Sequence, residues 1–273
     1  MSAAEPEPTG SSSDQSTGQS LGQTPGQLYR LTVRYDGRQY DGWQRHAGKP
    51  TVQGALESAI VEVFGVKCAV HGSGRTDRGV HADAQVAHFE APFELPSEQL
   101  LADLNGLLAQ DVRVDACEAM APGFHARHSA VRKTYRYEIW NAPQCPSQRV
   151  GRVWEIPGPL DVEAMQGATS VFVGAHDFSS FAKKTNYQPR TMVRTMAAVT
   201  LASDDSLIVM RFVADGFLYK MVRNIVRALV KVGEGRTDRA RLVEILAARD
   251  RKVAPGTAPA SGLFLESVDY ADK

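Results

Sequence analysis

The feature that most constrains the fold is the order in which hydrophobic periods change between Tyr29 and Cys117. In "YRLTVRY", Tyr29, Leu31, Val33 and Tyr35 alternate with Arg30, Thr32 and Arg34, the period of a strand with one buried face, and Asp36-Gly37 ends it. "TVQGALESAIVEVFG" then gathers Ala55, Leu56, Ala59, Ile60, Val63 and Phe64 on one helical stripe, with Thr51 as N-cap and Gly65 at the C-terminal end. Val66 to Val70 and Ala84 to Phe89 read as strands, Ser97 to Leu108 as a helix with Leu100, Leu101, Leu104 and Leu108 inward, and Val112 to Cys117 as a strand. The order β-α-β-β-α-β predicts a ferredoxin-like, or split β-α-β, module: an antiparallel sheet with both helices on one face. The other face is left available, and it is the face that RNA-recognition modules use.

A looser version of the same pattern follows. Strands are expected at 133–140 ("KTYRYEIW"), Thr191 to Leu201, Leu207 to Val213 and in "LFLESVDY"; helices near Asp161 to Val173, from Gly216 and from Asp238. The fold class is α+β, with two ferredoxin-like modules whose antiparallel sheets form one extended central sheet. No close internal repeat accompanies this likeness of pattern. The expected organisation is a disordered tail over 1–27, rich in Ser, Gly, Gln, Thr and Pro, then subdomains at 28–124 and 125–273.

Composition excludes several classes. Three widely spaced cysteines, Cys68, Cys117 and Cys145, form no CxxC pair and fit a reducing cytoplasm. No apolar run approaches a membrane span and no signal-peptide pattern opens the chain, so a soluble protein that is not exported is expected. His71, His81, His88, His125 and His128 match no common zinc-ligand spacing, and no metal is expected. Formal net charge is zero, yet the stretch 220–252 holds ten basic residues against four acidic ones. Within it Lys220, Arg223, Arg227 and Lys231 recur at helical spacing with no acid between them. An all-positive helix edge points to phosphate binding.

"GSGRTDRGVHADAQVAHFE" (72–90) places Asp77 in a Gly- and Arg-rich loop ahead of a strand. On local grounds such an aspartate shapes a turn, Tyr135 is a strand core residue and Arg223 is solvated. Six segments together change that reading: "YDGRQYDGWQ" (35–44), "GRTDRGVHA" (74–82), "KTYRYEIWN" (133–141), "HDFSSF" (176–181), "FLYKMVRNIVRALV" (217–230) and "APASGLFLESVDY" (258–270). In this order they resemble the tRNA pseudouridine synthase A (TruA) family, from about Tyr29 to Tyr270.

The resemblance implies an isomerase that turns uridine into pseudouridine with no cofactor. It implies that Asp77 is the catalytic carboxylate, that Tyr135 stacks on the target uracil, that Arg223 pairs with Asp77 and that Arg75 helps displace the target base. Asp77 acts either by attack on C1′ or by removing the C2′ proton to give a glycal, and Tyr135 is in position to take the C5 proton. Lys220, Arg227 and Lys231 are the expected phosphate contacts. The implied partner is the tRNA anticodon stem-loop, at uridines 38, 39 and 40, bound by a cytoplasmic homodimer. Two other classes keep a place beside this reading: a non-catalytic RNA-binding module, and a glycoside hydrolase, for which Asp83, immediately after the 74–82 segment, is the other carboxylate at hand. His176 and Asp177, adjacent in an expected strand, point to opposite faces and suit a structural or RNA-positioning role better than a dyad.

Overall fold

The computed structural model describes residues 26–183 and 189–271; the expected tail lies outside them up to residue 25. Its first strand, β1 (Gln27–Tyr35), buries Tyr29, Leu31, Val33 and Tyr35 on one face, as the alternation requires. Gln27 belongs to this sheet and not to the tail: it pairs with Ala91, and its side-chain amide donates to the Met120 carbonyl. Helix α1 (Val52–Phe64) starts where Thr51 Oγ1 accepts from the Gly54 amide and stops at Gly65, whose φ of 71° favours glycine. Leu56, Ile60 and Phe64 are buried, each contributing about 1.5–3 kcal/mol of apolar burial. Ala55 and Val63 flank the stripe half-buried.

The strand expected over Val66 to Val70 does not form. Gln53 and Glu57 of α1 take the Val70 carbonyl and amide by side-chain hydrogen bonds, and Val66 stays exposed, so the segment has no ladder partner. Only β2 (His71–Gly72) follows, paired with His88 and Ala87 of β3 (His81–Ala91). A bulge in β3 opposite Val33 to Tyr35 lets Ala82 and Gln85 both face the core despite their odd spacing. Helix α2 (Ser97–Leu107) buries Leu100 and Leu104, leaving Leu101 and Leu108 half-buried, and β4 (Val112–Met120) closes the first module.

The second half contributes β5 (Ala130–Trp140), the two-residue β6 (Trp154–Glu155), α3 (Val162–Ala168) running into a 3-10 turn, β7 (Gly174–Asp177), β8 (Val193–Asp204) and β9 (Leu207–Ala214). Helices α4 (Met221–Gly233) and α5 (Arg239–Ala248) and strand β10 (Leu263–Tyr270) complete it. The helix expected from Gly216 begins only at Met221. Lys220, at φ 62°, is in the left-handed region and breaks the helical path behind it.

Within the described residues the strands form one sheet in the order β4-β1-β3-β10-β5-β9-β8-β7, with β2 beside β3 and β6 beside β5. β4-β1-β3-β2 and β10-β5-β9-β8 each have the ferredoxin-like order, antiparallel throughout. Because β2 is so short, the N-terminal end of β3 is open, and β10 occupies it in parallel through Phe264–His81 and Leu265–Ala82. One apolar core runs under both modules' helices across this seam. On the opposite face Arg136 bridges Asp83, Glu138 and Glu266, and Arg211 extends the ladder from Glu266. That face carries interlocked ion pairs over the seam, and Asp83 is one of their members. No helix of the described residues is long and apolar enough to cross a membrane.

Candidate active site

The loop between β2 and β3 is fixed at its backbone. Ser73 Oγ donates to Gln85 Oε1 at 2.7 Å, and Gln85 Nε2 donates to the Gly74 carbonyl at 3.0 Å. Buried Thr76 shares a 2.8 Å hydrogen bond with the Tyr35 hydroxyl, and the Val80 amide closes a turn on the Asp77 carbonyl. The 35–44 segment clamps this loop from outside. A Cβ on Gly37 would lie 2.1 Å from the Val80 oxygen and one on Gly42 2.6 Å from the Thr76 oxygen, so only glycine permits the approach. The Trp43 amide then reaches the Thr76 carbonyl at 3.1 Å. The glycines of "YDGRQYDGWQ" thus serve the Asp77 loop, a role the sequence reading had not given them.

Asp77 meets Arg223 across 146 residues of chain. Arg223 Nη1 donates to Asp77 Oδ2 at 2.6 Å while Nε donates to the Ala258 carbonyl at 2.8 Å. Two bonds from one planar guanidinium fix its orientation, and with it the carboxylate rotamer. The Ala258 amide returns a hydrogen bond to the Arg223 carbonyl, and the Tyr137 hydroxyl holds the next carbonyl, Pro259. Behind Arg223, fully buried Asn224 donates to the Phe181 carbonyl and accepts from Thr257 and Arg251. A lone amide among the apolar residues of α4 was the available sequence signal for this hub.

Tyr135 rises from β5 toward the same pair, 9% exposed, its ring edge-on to Phe217 at 5.0 Å and within electrostatic reach of Asp77. Burial, then the nearby Tyr35 and Asp77 charges, raise its pKa, and burial pushes Tyr35 up to about 12. A phenol so held stays protonated, which suits stacking and hydrogen-bond donation better than proton abstraction. These residues meet on the helix-bearing side of the sheet, where α4 faces the β2–β3 loop, and not on the face that a single ferredoxin-like module would leave free.

The remaining expected contacts divide. Lys220 stands at the start of α4 beside this pair, its ammonium 5.4 Å from the Tyr219 ring; burial, then the charge of Arg223, lowers its pKa. Tyr219, which the sequence reading passed over, is 43% exposed and within electrostatic reach of Asp77. Arg75 is exposed and makes no side-chain hydrogen bond or ion pair with the described residues; Asp41 takes Arg78 instead. Arg227 and Lys231 turn away to Glu234, at 3.6 and 2.7 Å, joined there by Arg236; Arg227 also covers Trp154. Burial alone would raise the Glu234 pKa, but the Lys231 hydrogen bond and the three cations bring it below the ordinary value.

His176 and Asp177 do not form a dyad. His176 Nε2 contacts the Val173 carbonyl, whereas Asp177 accepts from the Ser179 amide and hydroxyl, shaping the turn that presents Phe181 to Asn224. His71, His88, His125 and His128 gather in a chain of ring contacts, but among the described residues no group of His, Cys, Asp or Glu is arranged to hold a metal ion.

Comparison with known proteins bears on this arrangement. A family model described as tRNA pseudouridine synthase matches residues 31–129 and 168–271. Proteins named tRNA pseudouridine synthase A are similar along most of the chain. That of Methylacidiphilum infernorum is 44% identical over 242 residues, covering 89% of this chain and 95% of the relative. Those of Solidesulfovibrio magneticus and Geobacillus kaustophilus are 43% and 41% identical, covering 88% and 90% of this chain and 90% and 96% of the relatives.

Proposed function

The chain belongs to the tRNA pseudouridine synthase family, enzymes that isomerise uridine in tRNA, and from that premise we propose that Asp77 is its catalytic carboxylate. The observation that carries the reading is the 2.6 Å ion pair of Asp77 with Arg223 beside the buried ring of Tyr135. In the reaction the C1′–N1 bond breaks, uracil turns, and C5 bonds to C1′ while C5 loses its proton and N1 gains one. Atoms and electrons balance within the substrate, so the chemistry calls for no cofactor. Asp77 attacks C1′ or removes the C2′ proton; either role needs a fixed carboxylate, and Arg223 holds its orientation. Tyr135 stacks against the detached uracil, and Arg75, exposed beside Asp77, fills the space the extruded base leaves.

The proposed substrate is the tRNA anticodon stem-loop, at uridines 38, 39 and 40. The unit 28–124 supplies the Asp77 loop, and 125–273 supplies Tyr135 and α4, whose Lys220, Arg227 and Lys231 contact backbone phosphates. A homodimer in the cytoplasm, gripping one tRNA with both subunits, completes the reading; the three unpaired cysteines accord with a reducing compartment.

The test uses unmodified tRNA carrying tritium at uridine C5. Isomerisation releases the label to water in step with pseudouridine and without free uracil. Free uracil that retains its label would identify a hydrolase, and binding without either product a non-catalytic module. Label release outside the anticodon arm at comparable efficiency would refute the proposed target.

A further inference from the structure

Lys133 is a half-buried cation with no carboxylate partner among the described residues. It stands on β5 two residues before Tyr135, so both side chains rise from the same face of the sheet. Its ammonium donates to the Ser73 carbonyl at 2.5 Å, at the root of the Asp77 loop, and a Cβ on Gly74 would lie 3.4 Å from it. Its strand neighbours, Val268 of β10 and Ala214 of β9, bring no charge. The charge that acts on it is another cation, Arg127 from the loop before β5; burial first, then Arg127, pushes the Lys133 ammonium down to about 8.

One carbonyl oxygen does not neutralise an ammonium, and a second cation nearby makes its burial worse. A cation kept under those conditions at the root of a catalytic loop suits a ligand that brings the counter-charge. We propose that Lys133, with Arg127 nearby, binds a backbone phosphate of the RNA next to the target uridine. The inference rests on the reading of the cleft as the tRNA site. The phosphate would pull the strand toward the floor of the cleft at the place where the uridine must leave its stack, with the Ser73 carbonyl already orienting the ammonium.

The experiment compares the wild type, Lys133→Met and Lys133→Arg on an unmodified tRNA transcript, measuring affinity against salt, affinity between pH 7 and 9, and thermal unfolding. The wild type is first assayed for pseudouridine; its failure would retire the reading of the cleft, whatever the variants do. Given turnover, Lys133→Met is expected to bind roughly tenfold more weakly at low salt, with the log-affinity slope shallower by about 0.7 to 0.9. Its thermal midpoint should hold or rise, because an uncompensated charge has been removed. Phosphate contact favours the protonated lysine, so wild-type affinity should fall as pH rises through about 8. Lys133→Met should lack that fall, and Lys133→Arg should restore the salt slope without it. A Lys133→Met enzyme whose salt slope and pH dependence match the wild type would overturn the proposal, and with a lowered midpoint would reduce Lys133 to a strut for Ser73.

Discussion

The two ends of α4 each gather cations and put them to different uses. At the first turn Arg223 has one carboxylate, Asp77, which comes from the other module, and Lys220 stands beside the pair. At the last turns Arg227 and Lys231, with Arg236 just beyond the helix, crowd one local carboxylate, Glu234. The first end holds a carboxylate that faces the cleft, whereas the second holds one that only tempers surplus positive charge. Regular spacing therefore gives each arginine or lysine a direction but not a task. The partner sets the task, and the partner comes from elsewhere in the fold.

The most severe test of this contrast is Asp77→Asn, which keeps the shape of the side chain and loses the charge. Turnover should drop about a thousandfold or more with tRNA affinity nearly intact, as read by pseudouridine-specific mapping and filter binding. Retained turnover would remove Asp77 from the chemistry and collapse the distinction between the two ends. Next in size is Arg223→Ala, expected to slow the chemical step about a hundredfold while changing affinity little. Arg223→Lys should recover only part of that loss, since an ammonium cannot hold Asp77 and the Ala258 carbonyl with one rigid fork.

At the far end the effects should move to binding. Arg227→Ala or Lys231→Ala is expected to leave single-turnover rates unchanged and to shallow the salt slope of tRNA binding by about 0.7 to 0.9 each. A slowed chemical step in either would break the comparison. The smallest effect belongs to Glu234→Gln, which frees three cations. Affinity for tRNA should rise about two- to fivefold at low salt, and the gain should vanish at high salt. Glu234 also gives a signed pH effect. Because its folded pKa is lowered, its contribution to stability is present above the ordinary glutamate pKa and lost as pH falls through the folded one. Acid unfolding of Glu234→Gln should therefore show a slightly weaker pH dependence in that window.

Much of the local architecture was legible because its causes lie within a few residues. Alternation gave β1 its buried face, and Thr51 and Gly65 bounded α1 through their own hydroxyl and φ. Legibility failed where a distant or competing group took over. Val66 to Val70 looked like a strand, but side chains of α1 satisfy Val70 before any strand can. The start of α4 was set too early because nothing in the residue type of Lys220 announces a positive φ. Of the site, Asp77, Tyr135, Arg223 and Arg75 were named through a resemblance to a family, since no spacing rule joins residues 146 apart. Asn224, Tyr219 and Lys133 went unnamed, their surroundings being assembled from several segments.

By itself, then, the sequence determined β1 with its buried face, α1 with its caps Thr51 and Gly65, and the inward Leu100 and Leu104 of α2. Those follow from backbone sterics and hydrophobic period, which act over one or two turns of chain. Only the tertiary structure decided that the short β2 leaves the end of β3 open for β10, and that the seam so formed brings the Asp77 loop under α4. It also decided that Asp77, Arg223 and Tyr135 meet on the helix-bearing side, with ion pairs locking the other face. Strand edges and buried charges must find partners wherever the chain can bring them, and that requirement acts on the whole fold at once.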